Sequence, residues 1–315
     1  FNKNRAKRHD LVGGGEPNGS APKGVPPDLI QKIKKVHIRS GRVVNTLMAG
    51  QYKSVFRGAG IEFEEVREYS PGDDVKRIDW KVSARLGRPF VKLYREEREM
   101  IVMLLVDISA SGQFGTVKKL KKEVAAEVAA LLAYTAIRNN DKVGLLTFCD
   151  EVRDYYPPRK GKSHVLHLIR ELVGQRPVAR ETKLQAALDF LNHVQKRRAV
   201  VFLVSDFIGP SARRALAVTK GRHDVTAISV SDPRETALPD VGFITLRDAE
   251  TGEVVEVDTR HPAVRALFRS RAAERREAFQ SELRRVGVDE LPIDTQGDYV
   301  AGLRRFFRMR EKRFR

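Results

Sequence analysis

The stretch MIVMLLVDIS, residues 100–109, is apolar without interruption until it ends in an aspartate and a serine. A strand wet on one face alternates polar with apolar residues. A run with no alternation must bury both faces, as the central strand of a parallel sheet does. Outward from it, a long helical pattern runs from about Val117 to Arg138, followed by the strand pattern DKVGLLTF. The helical patterns SHVLHLIRELV and TKLQAALDFLNHV come next, then the strand RAVVFLVSDF, the helix SARRALAVTKG and the strand DVTAISV. Strands alternating with helices predict an α/β fold: a doubly wound, mostly parallel, Rossmann-like sheet. In such sheets ligands bind beyond the carboxyl ends of the strands, where the strand order reverses.

The flanks are less regular. Residues 1–27 mix basic residues with Gly13, Gly14, Gly15 and several prolines, and read as a disordered basic tail. Residues 28–98 read as a small N-terminal β-rich module, with a helix over 28–37 and strands GRVVNTL, QYKSVF, IEFEEVREY and PFVKLY. Residues 99–315 form the large α/β unit. Within it, ITLRDAETGEVVEVD reads as a hairpin turning near Thr251-Gly252, and residues 261–286 as an Arg-rich helix, so that a hairpin and helix insertion occupies about 240–286. DELPIDT and DYVAGLRRFFRMR then supply a last strand and helix at the sheet edge.

Composition narrows the function classes. The 315 residues are 41% hydrophobic and 32% charged, enough apolar matter for a sizeable core. The single cysteine, Cys149, excludes an internal disulfide and any cysteine-clustered metal site, and indicates a reducing compartment. No apolar stretch reaches the ~20 residues that cross a bilayer. The expected location is therefore the cytoplasm, with peripheral contact at the inner membrane face left open. A net charge of +18 invites an acidic protein, an anionic membrane surface or nucleic acid. No nucleic-acid module is recognisable, which argues against the last of these.

Three strand ends and loops gather oxygen ligands. The first strand ends in DISAS, giving Asp107, Ser109 and Ser111; Thr182 precedes a helix; and VVFLVSD ends at Asp206. Neutral hydroxyls with few carboxylates suit a small, hard, partly hydrated cation, Mg²⁺ or Mn²⁺. DISAS, ETKLQAAL and LVSDF resemble the metal-ion-dependent adhesion site of a von Willebrand factor A domain. The resemblance implies that Ser109, Ser111 and Thr182 ligate the metal directly or through water. It implies that Asp107 and Asp206 act largely through bound water, and that an acidic residue of a partner fills the open position. The upstream string GAGIEFEEVREYSPGDDVKRIDWKVSARLGRPFVKLYREERE, with PPRKGKSHVLHLIREL at 157–172, is similar to the bacterial proteins called domain of unknown function 58. That resemblance implies an adaptor or chaperone partner of a MoxR-type AAA+ ATPase. It assigns no catalytic residue and no organic cofactor.

Other signals have plainer readings. Asp73, Asp74 and Asp79 in PGDDVKRIDW read as caps and ion-pair partners for Arg67, Arg77 and Arg85, with Trp80 packed inward. GKS at 161–163 lacks the earlier glycine of a phosphate loop, since Tyr156 stands there, and Ser163 reads as a helix cap. His164 and His167 read as ordinary helix residues, and Cys149 as a buried structural thiol. In RRFFRMREKRFR the reading is an amphipathic last helix with Leu303, Phe306 and Phe307 in the core and a basic fringe. Two rival functions stay open: a metal-dependent phosphoester hydrolase, for which no general base is evident, and a charge-driven binder of nucleic acid or membrane.

Overall fold

β3, Ile101–Asp107, lies between β4, Lys142–Phe148, and β6, Val200–Ser205, parallel to both. This is a computed structural model, and the residues it describes are 62–95, 99–115, 119–175, 182–247 and 252–313. The proposed tail, the helix over 28–37 and the strands GRVVNTL and QYKSVF lie outside them. So do residues 248–251, which include Thr251 of the predicted hairpin turn.

The central sheet has six strands, completed by β5 (Val152–Arg159), β7 (Asp224–Ser231) and β10 (Asp289–Asp294). Their order is β10-β7-β6-β3-β4-β5, with every pair parallel except β4 and β5. The direction of winding reverses between β3 and β6, which places a crevice beyond their carboxyl ends. Side chains of β3 alternate between two cores. Val102, Leu104 and Val106 join a cluster under α2 (Lys121–Arg138), α3 (Lys162–Gly174) and α7 (Tyr299–Arg313). Met103 and Leu105 join the opposite cluster, under α4 (Leu184–Val194), α5 (Arg213–Arg222) and α6 (Pro262–Val286). The doubly wound α/β fold expected from the alternation is therefore the observed one.

β5 was not anticipated. VRDYYPPR carries Pro157 and Pro158, which cannot donate to a ladder, and an edge strand is where such residues are tolerated. α3 is capped two residues earlier than its sequence suggested: Gly161 (φ 100°) is its cap, and Ser163 lies within the helix. In the last helix Leu303, Phe306 and Phe307 are buried as expected.

Two smaller ribbons complete the described chain. β1 (Glu62–Glu68) pairs antiparallel with β2 (Phe90–Arg95), and α1 (Trp80–Leu86) lies between them in sequence. Asp74 and Asp79 cap the turns there, and Arg67 pairs with Asp73 at 2.6 Å. Arg77 and Arg85 have no ion-pair partner among the described residues, and Trp80 does not pack inward: it is 68% exposed. Trp80 is the first residue of this seven-residue helix, directly after its cap Asp79. β8 (Phe243–Arg247) and β9 (Val254–Asp258) form the expected hairpin, which leads into α6.

Candidate functional site: a carboxylate and hydroxyl crevice

Asp107 closes β3, and its carboxylate organises the crevice. Its Oδ1 accepts from the backbone N–H of Ser109 at 2.9 Å. Its Oδ2 accepts from the Ser205 hydroxyl at 2.6 Å and, more loosely, from Thr182 Oγ1 at 3.4 Å. Burial, with the nearby Asp206 charge adding to it, raises the Asp107 carboxyl above its ordinary value, while the hydrogen bonds oppose the shift. Ser109 and Ser111 hydroxyls lie 2.9 Å apart. Ser109 and Thr182 are buried. The structure thus gathers Asp107, Ser109, Ser111 and Thr182 at one mouth, with Asp206 beside them at the end of β6.

The local backbone explains the convergence. After Ser109 the chain makes a short 3₁₀ turn, Ala110–Gln113, before α2, so alternate side chains of DISAS stay at the strand end. The Thr182 loop is held from two sides. Lys183 N–H donates to the Cys149 carbonyl at 2.7 Å, and a Cβ on Gly209 would meet the Thr182 carbonyl at 3.1 Å. Only a glycine lets the loop after β6 approach so closely, and its φ of +155° adds to that demand. Between them Phe207 sits at φ 56°, in the left-handed region that costs a bulky residue roughly 1 kcal/mol or more. Its ring stacks on Phe279 with centroids 4.5 Å apart, which holds the strained turn in place. Strain of this kind, directly after Asp206, is characteristic of functional loops.

Sequence reading missed three participants: Ser205, which bonds Asp107, and the pair Lys121 and Glu235. Lys121, the first residue of α2, reaches into the crevice, where its Nζ lies 2.6 Å from Asp206 Oδ2 and 2.5 Å from Glu235 Oε1. Burial alone would lower the lysine pKa, but the two carboxylates outweigh it and leave the ammonium above its ordinary value. Glu235 is itself anchored: its Oε2 accepts from the Asp232 N–H at 2.9 Å, and Asp232 accepts from Thr295 Oγ1 at 2.7 Å. Lys121 sits in the run KKLKKE with three other lysines, and nothing local marks it as the buried one.

The donor set is two carboxylates and three hydroxyls, all hard oxygens, which fits Mg²⁺ or Mn²⁺ better than a softer ion. Among the described residues no group of three or more His, Cys, Asp or Glu side chains gathers as a metal cage, so this is a hydroxyl-rich site. His164 Nε2 lies 2.9 Å from the Val143 carbonyl, and His167 is an exposed helix residue beside Glu171. Cys149 is buried, and burial raises its thiol pKa. No described helix is long and apolar enough to cross a membrane.

Fold and crevice together define an α/β protein with a doubly wound sheet and a polar mouth where its winding reverses. The chain belongs to the family described as "Protein of unknown function DUF58", whose pattern matches residues 65–278. It is 33% identical over 289 residues to an uncharacterized protein of Mycobacterium tuberculosis, covering 91% of each chain. It is similar in structure to an aerotolerance-related membrane protein from Bacteroides fragilis, at a TM-score of 0.46 and 19% identity, over 68% of this chain and 99% of that one. BatB from Bacteroides thetaiotaomicron gives a TM-score of 0.43 at 14% identity, with the same coverage.

Proposed function

We propose that this protein is a non-enzymatic, divalent-metal-dependent interaction module, with Asp107, Ser109, Ser111, Thr182 and Asp206 as the residues that would hold Mg²⁺ or Mn²⁺. The observation that carries this reading is the convergence of hydroxyls and carboxylates at the mouth between β3 and β6, with Asp107 accepting from Ser205 and Thr182. A divalent cation held there supplies an electron-poor centre for an acidic side chain of a protein partner. The protein's part is to fix the oxygens in place, through the Ser109 backbone contact and the strained Phe207 turn, so that little ordering cost falls on binding.

The resemblance to the family points to a MoxR-type AAA+ ATPase as that partner, with this chain as its adaptor. The protein's net charge of +18 favours encounter with an acidic surface. A hydrolytic reading is weaker, because among the described residues no histidine lies in the crevice, and the carboxylates of Asp107, Asp206 and Glu235 are engaged by a hydroxyl, an N–H or Lys121. The test is binding of the full chain to the purified MoxR-type ATPase of the same organism, by biolayer interferometry in Mg²⁺ and in chelator. Binding lost in chelator and in Ser111→Ala supports the reading. Equal binding under both conditions refutes metal dependence, and no binding refutes this partner.

A further inference from the structure

The crevice contains a cation of its own. Lys121 Nζ bridges Asp206 Oδ2 at 2.6 Å and Glu235 Oε1 at 2.5 Å, and the lysine and aspartate side chains are 3% and 5% exposed. The ammonium is fixed, since it is held by two carboxylates and its partner Glu235 is pinned in turn by the Asp232 N–H. It also lies 6.0 Å from the centroid of the Phe114 ring, on the segment that links DISAS to α2. Water, which would otherwise screen it, has little access.

We infer that Lys121 is a tethered internal cation that competes with the divalent ion for Asp206, and so sets the metal affinity of the crevice. This rests on the metal-binding reading above. Asp206 is shared: one oxygen, Oδ1, accepts from the Ile208 N–H at 3.1 Å, and the other is occupied by the ammonium. A divalent ion arriving beside Asp206 either displaces Lys121 or accepts its repulsion at close range in a poorly screened site. In both cases the resting affinity is lower than the oxygen donors alone would give. An added carboxylate from a partner offsets that repulsion, so the lysine couples metal occupancy to partner binding. The coupling reaches further, because Glu235 closes the turn Pro233–Glu235 that follows β7 and leads toward the β8–β9 hairpin. Moving the lysine removes one of the two side-chain contacts on Glu235 and leaves the one to the Asp232 N–H.

The experiment is a Mn²⁺ titration of the purified full chain, read from the spin-resonance signal of the free aqueous ion. Lys121→Met removes the charge, Lys121→Gln removes it while keeping a hydrogen-bonding head for the two carboxylates, and Lys121→Arg keeps it. The expected result is Mn²⁺ binding at least about tenfold tighter in Lys121→Met and Lys121→Gln, with Lys121→Arg close to the unsubstituted protein. Ser111→Ala should abolish the gain in each background. Should Lys121→Met fail to fold, Lys121→Gln decides alone. Unchanged or weaker binding in the neutral variants, with Ser111-dependent binding present in the parent, overturns the inference and leaves the metal site standing. Absence of Ser111-dependent binding in every variant overturns both.

Discussion

Lys121 and Asp206 stand 85 residues apart in the chain, yet their charged atoms meet at 2.6 Å with both side chains almost fully withdrawn from water. The first comes from the start of a helix, the second from the end of the strand beside β3. Their meeting is a consequence of the doubly wound sheet, which delivers the ends of β3 and β6 and the start of α2 to one mouth. A buried charge of this kind persists only when its partners are fixed, and here Asp206, Glu235 and the turn behind Glu235 supply them.

A second buried cation anchors the other end of the molecule. Arg310 of α7 donates from Nη2 to both oxygens of Asp224, at 2.8 and 2.9 Å, and its Nε lies 3.2 Å from Asp289 Oδ2. Asp224 and Asp289 open β7 and β10, so the arginine ties the last helix to two neighbouring strands. Arg310→Met removes the buried cation, leaving Asp224 to Lys220 at 3.4 Å and Asp289 to Arg313 at 2.7 Å, and is expected to cost about 3 kcal/mol in urea unfolding. Arg310→Lys recovers only part of this, because an ammonium cannot make the paired contacts of a guanidinium.

His223 gives the protein an acid-sensitive point. It is buried, its Nδ1 accepts from the Ala199 N–H at 3.3 Å, and its Nε2 has no hydrogen-bond partner among the described residues. Burial, aided by Arg222 and Arg198, lowers its pKa from 6.5 to about 4. Between those values the unfolded chain takes up a proton that the native protein resists, so stability rises with pH and falls on acidification. The loss from this group approaches about 3 kcal/mol by pH 4. Unfolding free energies of the parent and His223→Gln, measured from pH 4 to 7, should differ in slope over that window. Parallel curves would contradict the assignment.

Gly144 lies in the interior of β4, where a Cβ would come within 2.7 Å of Met103 Sδ and 2.9 Å of the Tyr156 carbonyl. The methionine can move, but the carbonyl belongs to the backbone of the paired strand β5. Gly144→Ala is expected to destabilise by about 1–3 kcal/mol in spite of alanine's smaller conformational freedom when unfolded. A thermal midpoint equal to or above that of the parent would show that β5 yields instead.

The α/β order was legible because it is written in periodicity. MIVMLLV and VVFLVS have no polar face, and TKLQAALDFL repeats its apolar residues at helical spacing. Asp107, Ser109, Ser111, Thr182 and Asp206 were nameable for a related reason: each stands directly after a strand or before a helix, where topology dictates its direction. What escaped notice depended on distant neighbours. VRDYYPPR shows neither clean alternation nor freedom from proline, and becomes a strand because β4 has an unpaired edge. Trp80 is exposed, although an aromatic residue in a short helix reads as core; its burial depends on what packs over α1, which the local sequence does not state. Lys121 looks like any lysine of a basic run, and only β6 and the turn after β7 make it internal.

Metal-dependent capture of a partner is tested by a pull-down from lysate of the source organism, run in parallel with Mg²⁺ and with chelator, using the parent chain and Ser111→Ala. Captured proteins are identified by mass spectrometry. An AAA+ ATPase should be retained by the parent in Mg²⁺, released by chelator and absent from Ser111→Ala. Identical captured sets with and without metal, or recovery of nucleic acid alone, would contradict metal-dependent capture.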